Sequence, residues 1–423
     1  MNNKTPKNWI TCKISDLCDF QNGYAFNSND YVENGIPIIR MSNISVDGNL
    51  NLTPENTKYY QTEKAETLKK YILNKNDVVM AMTDMTKDMG IIGKTAIIDE
   101  DNRYLLNQRV GRLTIKNSKV LDYKYLHRYT NSPLFLNYAK QQCSGGVQLN
   151  LSTKAILEHK MILPPTIQEQ QEIAQVLDTM SDIIRLREEC ISHAQDLIPA
   201  LFQEMFKEIN KYNIDVRQLV NMGIIEKPLD GNHGELHPKA SDYVSQGIPF
   251  VMASDLINGK VDIYNCNFIS EEQAKTLRKG FAKKDDVLIS HKGTIGRTAI
   301  VQDIDTDYIV LTPQVTYYRI LDDSRINKYF LKSYFDSTYF QNILLSKAQK
   351  GATRAYVGIT EQLSLPIYLP DIKQQEQFAN KVREINSYIE EQQEELKNAK
   401  QMFQSLLHHA FTGELTRRAY GKD

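Results

Sequence analysis

Two long segments of the chain carry apolar residues in alternating steps of four and three. Both segments lack glycine; the first follows Leu163-Pro164-Pro165 and runs to about Asn210, and the second follows Leu369-Pro370 and runs to about Thr412. A period of 3.5 residues is typical of the seam of a coiled coil, so we predict two long helices. The predicted seam positions are Ile173, Leu177, Met180, Ile184, Ile191, Ala194, Ile198, Leu201 and Met205 in the first helix, and Phe378, Val382, Ile385, Ile389, Leu396, Ala399, Phe403, Leu406 and Ala410 in the second.

The two stripes match each other position by position at one constant shift in residue number, and a polar residue interrupts both at the same place, Arg187 and Gln392. Six heptads at about 1.5 Å per residue give a rod of roughly 60 Å, longer than a domain of about 160 residues is wide. We therefore predict that the helices pair with each other and do not merely lie on their own domains. Pro199 interrupts the first stripe, and we expect a kink or bend there because proline removes a backbone hydrogen bond.

The rest of the chain is a duplication. Three segments recur in the same order, and the shift in residue number drifts slightly from one to the next, as loop insertions and deletions produce. The recurring segments are 35–44 with 247–256, 76–80 with 285–289, and 92–98 with 295–301. The chain therefore consists of two divergent copies of one module, each followed by one of the long helices.

Each module has a mixed pattern. Short β-type runs at 36–40, 77–82 and 95–98 are separated by Gly, Asn and Asp turns. Helical patterns occur near 61–70 and 121–141, with equivalents at 270–279 and 326–349. This favours an α+β fold with mainly antiparallel or irregular sheets. The predicted segments are module 1 at 1–163, a central helix at 164–211, module 2 at 212–369, and a C-terminal helix at 370–423.

Charge is distributed unevenly among these segments. The chain of 423 residues holds 51 basic and 52 acidic residues, so its net charge of −1 provides no general attraction for nucleic acid. Residues 1–163 carry a net charge of +5 and residues 164–211 carry −5, whereas 212–370 are neutral and 371–423 carry −1. The neutral to acidic helices suit protein contacts better than phosphate contacts.

Other features of the composition narrow the setting. We find no stretch of about 18 apolar residues and no apolar run behind the N-terminal lysines, so we expect neither a membrane span nor a secretory signal. The five cysteines are scattered without a Cys-x-x-Cys pair, which favours reduced thiols and a cytoplasmic location.

Polar and basic side chains in the loops beside the predicted strands are candidates for reading DNA. Arginine and lysine can bond guanine edges and phosphates, whereas asparagine and glutamine suit adenine. For any single residue, a solvated loop face explains the pattern equally well. The candidates are Arg40, Thr83, Lys87, Lys94, Asn107, Arg109 and Gln148 in the first copy, and His291, Lys292, Thr294, Arg297, Gln314 and Arg354 in the second.

Signals for catalysis or metal binding are weak. The segment 90–95 imitates a phosphate-binding loop, but Asp88 occupies the position where that motif requires its first glycine. His233 and His237 are four residues apart among Gly231, Gly234 and Pro238, which disfavour a helix that would align them on a metal. No spacing indicates catalytic carboxylates or a nucleophile–base pair, so we expect a binder without catalytic or metal-ligating residues.

The chain resembles the specificity subunits of type I restriction–modification systems. The resemblance rests on the paired Gly-Ile-Pro segments at 35–37 and 247–249, the strands Asp-Val-Val-Met and Asp-Asp-Val-Leu-Ile-Ser, and Gly-Thr-Ile-Gly-Arg-Thr-Ala-Ile-Val at 293–301. The Leu-Pro helix starts, Phe206 and the Phe-Thr-Gly-Glu-Leu sequence at 411–415 also fit. It covers essentially the whole chain. Thr312-Pro313-Gln314, where the first copy has Asn107-Gln108-Arg109, is a departure that affects individual base contacts.

The resemblance implies that each module is a target recognition domain and that the helices form an antiparallel coiled coil between them in a pseudo-two-fold arrangement. It implies binding to double-stranded DNA at an asymmetric bipartite target, docking of two methyltransferase subunits, and recruitment of restriction subunits through the methyltransferase complex. S-adenosylmethionine, ATP and Mg²⁺ would then belong to those partners, and this chain would hold no cofactor. The alternatives are a methylation-linked system without the ATP-driven motor, a system with a fused methyltransferase-nuclease, and a coiled-coil adaptor unrelated to DNA.

Overall fold

The chain divides into two units, and each unit combines one copy of the module with parts of both long helices. The structure is a computed structural model that describes residues 8–86, 88–144, 149–210, 213–348 and 355–413. Unit 1 comprises Met1–Arg187 and Glu395–Asp423, and unit 2 comprises Glu188–Glu394. Because units defined by packing cut through both helices, the division into four segments stays a prediction.

The first copy of the module contains thirteen strands and five short α-helices within the described residues. The strands are β1 (Ile10–Lys13), β2 (Cys18–Asn22), β3 (Tyr31–Val32), β4 (Ile36–Ile39), β5 (Lys58–Tyr60), β6 (Ile72–Leu73), β7 (Val78–Ala81), β8 (Thr83–Asp84), β9 (Thr95–Ile97), β10 (Tyr104–Leu106), β11 (Val110–Ile115), β12 (Leu149–Asn150) and β13 (Lys160–Leu163). The helices are α1 (Ile14–Leu17), α2 (Thr62–Ala65), α3 (Tyr123–Thr130), α4 (Pro133–Gln141) and α5 (Thr153–Glu158). The long helix α6 (Ile167–Met205) follows.

The second copy repeats this composition. Its strands are β14 (Asn213–Asp215), β15 (Leu229–Asp230), β16 (Tyr243–Val244), β17 (Ile248–Val251), β18 (Leu256–Ile257), β19 (Lys260–Val261), β20 (Asn267–Ile269), β21 (Phe281–Ala282), β22 (Val287–Ser290), β23 (Thr298–Ile300), β24 (Ile309–Leu311), β25 (Val315–Tyr318) and β26 (Pro366–Tyr368). The short helices are α7 (Val216–Asn221), α8 (Glu271–Thr276), α9 (Lys328–Asp336), α10 (Thr338–Lys347) and α11 (Ile359–Gln362), and α12 (Ile372–Thr412) is the second long helix.

The sheet topology confirms the duplication. Unit 1 has a five-stranded sheet of order β3-β5-β4-β10-β6 and a four-stranded sheet of order β2-β11-β7-β9; unit 2 has β16-β20-β17-β24-β21 and β15-β25-β22-β23. Registers agree as well, since Ile38 lies opposite Leu105, and Phe250, which corresponds to Ile38 in the second copy, lies opposite Val310. These two pairs, β4–β10 and β17–β24, are parallel, and the other pairings between named strands are antiparallel, so the predicted mixed fold is confirmed.

The two long helices pair in antiparallel fashion within each unit. In unit 1, Ile173 and Leu177 near the start of α6 share a buried cluster with Leu407 and Phe411 near the end of α12. In unit 2, Phe202 near the end of α6 lies 5.5 Å, between ring centroids, from Phe378 near the start of α12. The polar position in the first stripe has a partner on the other helix, because Arg187 forms an ion pair with Glu395.

The predicted seam is buried to different degrees along the helices. Ile173, Leu177, Met180, Ile191, Phe378, Val382 and Ile389 are buried, whereas Ile184, Ile198, Leu201, Ile385, Leu396, Phe403 and Leu406 are half-buried. Near both C-terminal ends, Phe202 and Leu407 are buried beside the half-buried Leu201 and Leu406 and occupy equivalent places in the two helices, while the predicted Ala410 is fully buried. There each helix packs against a module as well as against the other helix, so a wider face is buried. Helix α6 continues through Pro199 as one element, and a bend at Pro199 stays a prediction.

A buried glutamine ties the start of each long helix to the module before it. Gln170 accepts a hydrogen bond from Asp122 N (2.9 Å) and donates one to Val120 O (2.9 Å). Gln375, the equivalent residue of the second helix, accepts from Asn327 N (2.9 Å) and donates to Arg325 O (3.2 Å). Both amides are almost fully buried, so each satisfies backbone groups that burial would otherwise leave unpaired.

Two buried histidines make the stability of unit 1 dependent on pH. Burial lowers the pKa of His127 to about 3 and the pKa of His159 to about 4. His127 Nδ1 accepts a hydrogen bond from Asn131 Nδ2 at 3.1 Å, and His159 Nε2 lies 3.1 Å from the hydroxyl of Tyr129. Both rings therefore stay neutral in the folded chain well below the pH at which a free histidine is protonated.

We expect the free energy of unfolding to fall as the pH drops from 7 to 5. Below about pH 6.5 the unfolded chain gains a proton on each histidine that the folded chain does not take up, which costs about 2 kcal/mol per histidine by pH 5. Urea unfolding at a series of pH values measures this slope. His127→Gln and His159→Gln should each flatten it and the exposed His408→Gln should not; an unchanged slope in both buried variants would contradict the assignment.

Candidate nucleic-acid interface

Three candidate residues of the first module, Arg40, Asn107 and Arg109, lie where strands β4 and β10 end and strand β11 begins. Strands β4 and β10 are parallel neighbours, so Arg40 and Asn107, which directly follow them, emerge at one edge of the sheet. Asn107 N donates to Ile39 O at 3.1 Å, and Asn107 Oδ1 accepts from Arg109 N at 3.2 Å. Arg40 N in turn donates to Asn43 Oδ1 at 2.9 Å. The backbone around Arg40, Asn107 and Arg109 is therefore held in place before any ligand binds.

A close backbone approach fixes this edge. Gly23, directly after β2, lies so near Asn107 that a Cβ at this position would be 2.2 Å from Asn107 O. Gly231 holds the equivalent place in module 2, where a Cβ would be 1.9 Å from Leu311 O. Since any larger residue would push the strands apart, both modules require glycine here.

The loop after β7 joins the same edge. Met82 N donates to Arg109 O at 3.0 Å, and the buried Thr83 donates from Oγ1 to Asn150 Oδ1 at 3.0 Å. The hydroxyl of Thr83 is used in this hydrogen bond, so it supports the loop, and its contact with DNA stays a prediction. Arg109 is half-buried, and its guanidinium Nη1 lies 3.9 Å from Met85 Sδ. Met85 itself is exposed, and sequence reasoning missed it.

Lys94 lies beside this edge. Its carbonyl accepts a hydrogen bond from Ala81 N at 2.8 Å, next to Met82. Burial lowers the pKa of its ammonium group, although the carboxylate of Asp47 opposes that shift. Lys94 is half-buried, so less of its side chain is open to a phosphate than in an exposed lysine. Contact of Lys94 with DNA stays a prediction, and Lys87, Gln148 and Arg354 lie outside the described residues.

The second module brings its candidates to the equivalent edge. His291 N donates to Gln314 O at 2.8 Å, and Lys292 forms a β-bridge with Tyr356. Thr294 is exposed on a turn in which Gly293 and Gly296 have φ angles of +79° and +93°, values that favour glycine. The exposed Arg297 lies near Ala253 O and Ser254 O, each 3.4 Å from its Nη1, so its guanidinium caps the loop after β17.

An acidic residue that sequence reasoning missed lies at this edge. Asp230 ends β15 and is almost fully buried, and it forms an ion pair with Lys279. His233 Nε2 lies 2.7 Å and His291 Nε2 lies 3.9 Å from Asp230 Oδ2. Burial raises the pKa of Asp230, but hydrogen bonds from Lys279 and His233 outweigh burial and hold this pKa below its usual range. The carboxylate is therefore charged. Alignment of the two copies through their glycines, Gly23 and Gly231, was the signal that could have found it.

The cluster around Asp230 does not change the expectation from the sequence that the chain has no metal-ligating residues. Within the described ranges, no group of three or more His, Cys, Asp or Glu side chains is placed to hold a metal ion. The same residues include no helix that is both long and apolar enough to cross a membrane.

Comparison with known proteins agrees with the resemblance seen in the sequence. Residues 6–193 match the family described as the type I restriction modification DNA specificity domain. The specificity subunit of the EcoBI type I restriction enzyme from Escherichia coli is 24% identical over 439 residues, covering 96% of this chain and 86% of the relative. The MjaVIII specificity subunit from Methanocaldococcus jannaschii is 23% identical over 360 residues, covering 81% of this chain and 80% of the relative.

Solved structures share the fold over nearly the whole chain. The S subunit of a type I restriction-modification system from M. genitalium has a TM-score of 0.57 at 14% identity and covers 97% of both chains. A chain from a study of complex assembly and conformational transition of a type I restriction-modification system has a TM-score of 0.58 at 15% identity, covering 97% of this chain and 99% of its own. These matches agree with the resemblance read from the sequence: residues 6–193 match a type I restriction modification DNA specificity domain, and nearly the whole chain is similar to type I specificity subunits.

Proposed function

We propose that the chain is the DNA-recognition subunit of a type I restriction–modification complex. The observation that carries the proposal is that each module gathers polar and charged side chains at one edge of its sheets, on a backbone fixed by Gly23 or Gly231. The two edges carry different chemistry, with Arg40, Asn107 and Arg109 in one and Asp230 and His291 in the other. Two modules with different reading residues recognise two different half-sites, so the target is asymmetric and bipartite.

The modification and cleavage reactions belong to partner subunits. In this proposal two methyltransferase subunits bind the chain, restriction subunits join through them, and S-adenosylmethionine, ATP and Mg²⁺ are held by those partners. An apolar stripe on α6 supports protein docking. Val176, Ile183, Cys190 and Leu197 follow one another in steps of seven, and all four are exposed. Since steps of seven keep residues on one helix face, this stripe is a surface for another protein and not part of the paired seam.

The experiment is to express the chain with its methyltransferase subunit in a host without adenine methylation of its own and to map methylated adenines across the genome. We expect one discontinuous sequence with two unlike halves. The purified complex should then bind a duplex carrying that sequence more tightly than a scrambled duplex, by a factor that is about 10³ or more for specific DNA-binding proteins. Equal binding to both duplexes, together with no methylated sequence, would instead favour a coiled-coil adaptor unrelated to DNA.

A further inference from the structure

We call the edge around Arg40, Asn107 and Arg109 in module 1, and the equivalent edge around Asp230 and His291 in module 2, the reading edge. The internal duplication shows which of its positions differ between the two copies. Asn22 corresponds to Asp230, because each directly precedes one of the two equivalent glycines, Gly23 and Gly231. In the strand registers, Asn22 lies opposite Gly111 and Asp230 lies opposite Thr316. Met82 corresponds to His291, because Met82 N donates to Arg109 O as His291 N donates to Gln314 O. At both positions the two modules differ in hydrogen-bonding chemistry.

The framework around these positions has been retained. An aspartate precedes the central strand in both copies and is held by an arginine: Asp77 lies 3.2 Å from Arg112, and Asp286 lies 2.7 Å from Arg319. The close approaches at Gly23 and Gly231 are also retained. The change in chemistry at Asp230 and His291 is therefore not matched by a change in the fold that carries them.

His291 presents a free acceptor. Its Nδ1 lies 2.9 Å from Val357 O, and because a carbonyl oxygen can only accept, Nδ1 carries the proton and Nε2 carries a lone pair. Nε2 is buried and has no hydrogen-bond partner within the described part of the chain. Asp230 Oδ2, which is also an acceptor, lies 3.9 Å from Nε2. Two acceptors facing one another require a donor between them, since a buried polar atom without a partner is costly.

In the free protein, His233 supplies a donor to one of these two acceptors, Asp230. It donates from Nε2 to Asp230 Oδ2 at 2.7 Å, and its side chain is 53% exposed. The residue lies between Gly231 and Gly234, and Gly234 has a φ angle of +67°, so its loop accepts conformations closed to other residues. A donor from a ligand can therefore replace His233 at Oδ2 and reach His291 Nε2 at the same time.

We propose that Asp230 and His291 together read the N4 amino group of a cytosine in the half-site of module 2, a specificity that rests on the proposed function. In the major groove cytosine presents one hydrogen of this amino group, because the other is paired with guanine O6, and two acceptors on either side can share that hydrogen. Guanine presents two acceptors at the same place and is rejected by Asp230, while adenine adds the N7 acceptor and is matched by asparagine or glutamine instead. Module 1, with Asn22 and Met82, lacks the acceptor pair and does not read cytosine at this position.

The test replaces the pair by the residues of the other copy, in the variant D230N/H291M, with its methyltransferase subunit in a host without adenine methylation. Both replacements occur at these positions in module 1, so the module fold accommodates them. The matched control is D303N, an equally small change at an exposed aspartate of the same unit, paired with Lys284. Methylated adenines are mapped genome-wide, and methylation rates are compared on duplexes that carry each base pair at the position in question.

We expect the unaltered complex to require a C·G pair at one position of one half-site. D230N/H291M should lower the preference for that pair by roughly 5- to 150-fold, the usual cost of one mismatched base pair, and should leave the other half-site unchanged; D303N should leave the whole pattern unchanged. An unchanged preference, a lost preference at an A·T pair, or loss of all methylation by the variant overturns the inference. A wild-type complex without any bipartite pattern overturns the proposed function itself.

Discussion

Exchange of residues 212–370 for the corresponding module of another specificity subunit is expected to change one half of the methylated sequence and to leave the other half intact. The reason is that the proposed reading edge of module 2, including Asp230, His291 and Gln314, lies entirely within the exchanged segment. The corresponding edge of module 1, around Arg40 and Arg109, is untouched. Mapping methylated adenines in a host that carries the hybrid measures the outcome directly.

The structure also says how the hybrid must be built. Strand β14 pairs with β26, with Asn213 opposite Tyr368, so cuts at 212 and 370 move a closed pair of strands as one piece. The core of unit 2 includes Phe202 of α6, Phe206 directly after α6, and Phe378 and Val382 of α12, and these side chains stay behind in the exchange. The incoming module must therefore offer aromatic partners of similar size, as Phe330 does here.

The reciprocal hybrid is the control. Strands β1 and β13 close module 1 in the same way, with Ile10 opposite Leu163, so an exchange of residues 8–163 should change the other half of the target. If either hybrid altered both halves, each module would not read its half-site independently, and the modular account would fail.

Truncation of Phe206 or Phe411 to alanine is expected to destabilise the fold by about 3–5 kcal/mol, the usual cost of removing a buried phenylalanine. The ring of Phe206 lies 4.9 Å from that of Phe330 and 5.5 Å from that of Phe378. The ring of Phe411, the equivalent residue at the end of α12, lies 5.2 Å from Tyr129 and 5.6 Å from Tyr125. Each ring joins the end of a long helix to the core of a module, so its loss should disturb both.

Denaturant unfolding with linear extrapolation measures these changes. The controls are Leu197→Ala on α6 and Met402→Ala on α12, because both side chains are more than half exposed and fill no core. They are expected to change the free energy of unfolding by less than about 0.5 kcal/mol. A loss below about 1 kcal/mol for both phenylalanine variants would contradict the role assigned to the helix ends.

Much of this architecture could be predicted from local patterns. The heptad spacing identified α6 and α12 to within a few residues of their ends, because a helix that buries one stripe must repeat apolar residues at that spacing. The duplication identified the two modules, since copies that share segments 35–44 and 247–256 must share the strands built from them. The position of the polar residue Arg187 also indicated pairing, and its partner proved to be Glu395.

The candidate interface was harder to predict. Arg40, Asn107 and Arg109 were recognised as loop residues, but that they meet at one edge follows from the parallel pairing of β4 with β10, which joins segments far apart in the sequence. Asp230 was missed because a single aspartate before a glycine looks like an ordinary turn residue. Its significance depends on Lys279, His233 and His291, which the fold brings together from three separate loops.

The sequence by itself determined the elements and the duplication, because each is encoded in spacing between neighbouring or repeated residues, and its motifs carried the resemblance to specificity subunits. The tertiary structure decided which residues are buried at the helix ends, where Phe202 and Leu407 are buried and their neighbours, the predicted Leu201 and Leu406, are only half-buried. It also decided which polar groups share an edge and which atom, His291 Nε2, is left without a partner within the described residues. Such features depend on contacts between distant segments, and local periodicity carries no information about those contacts.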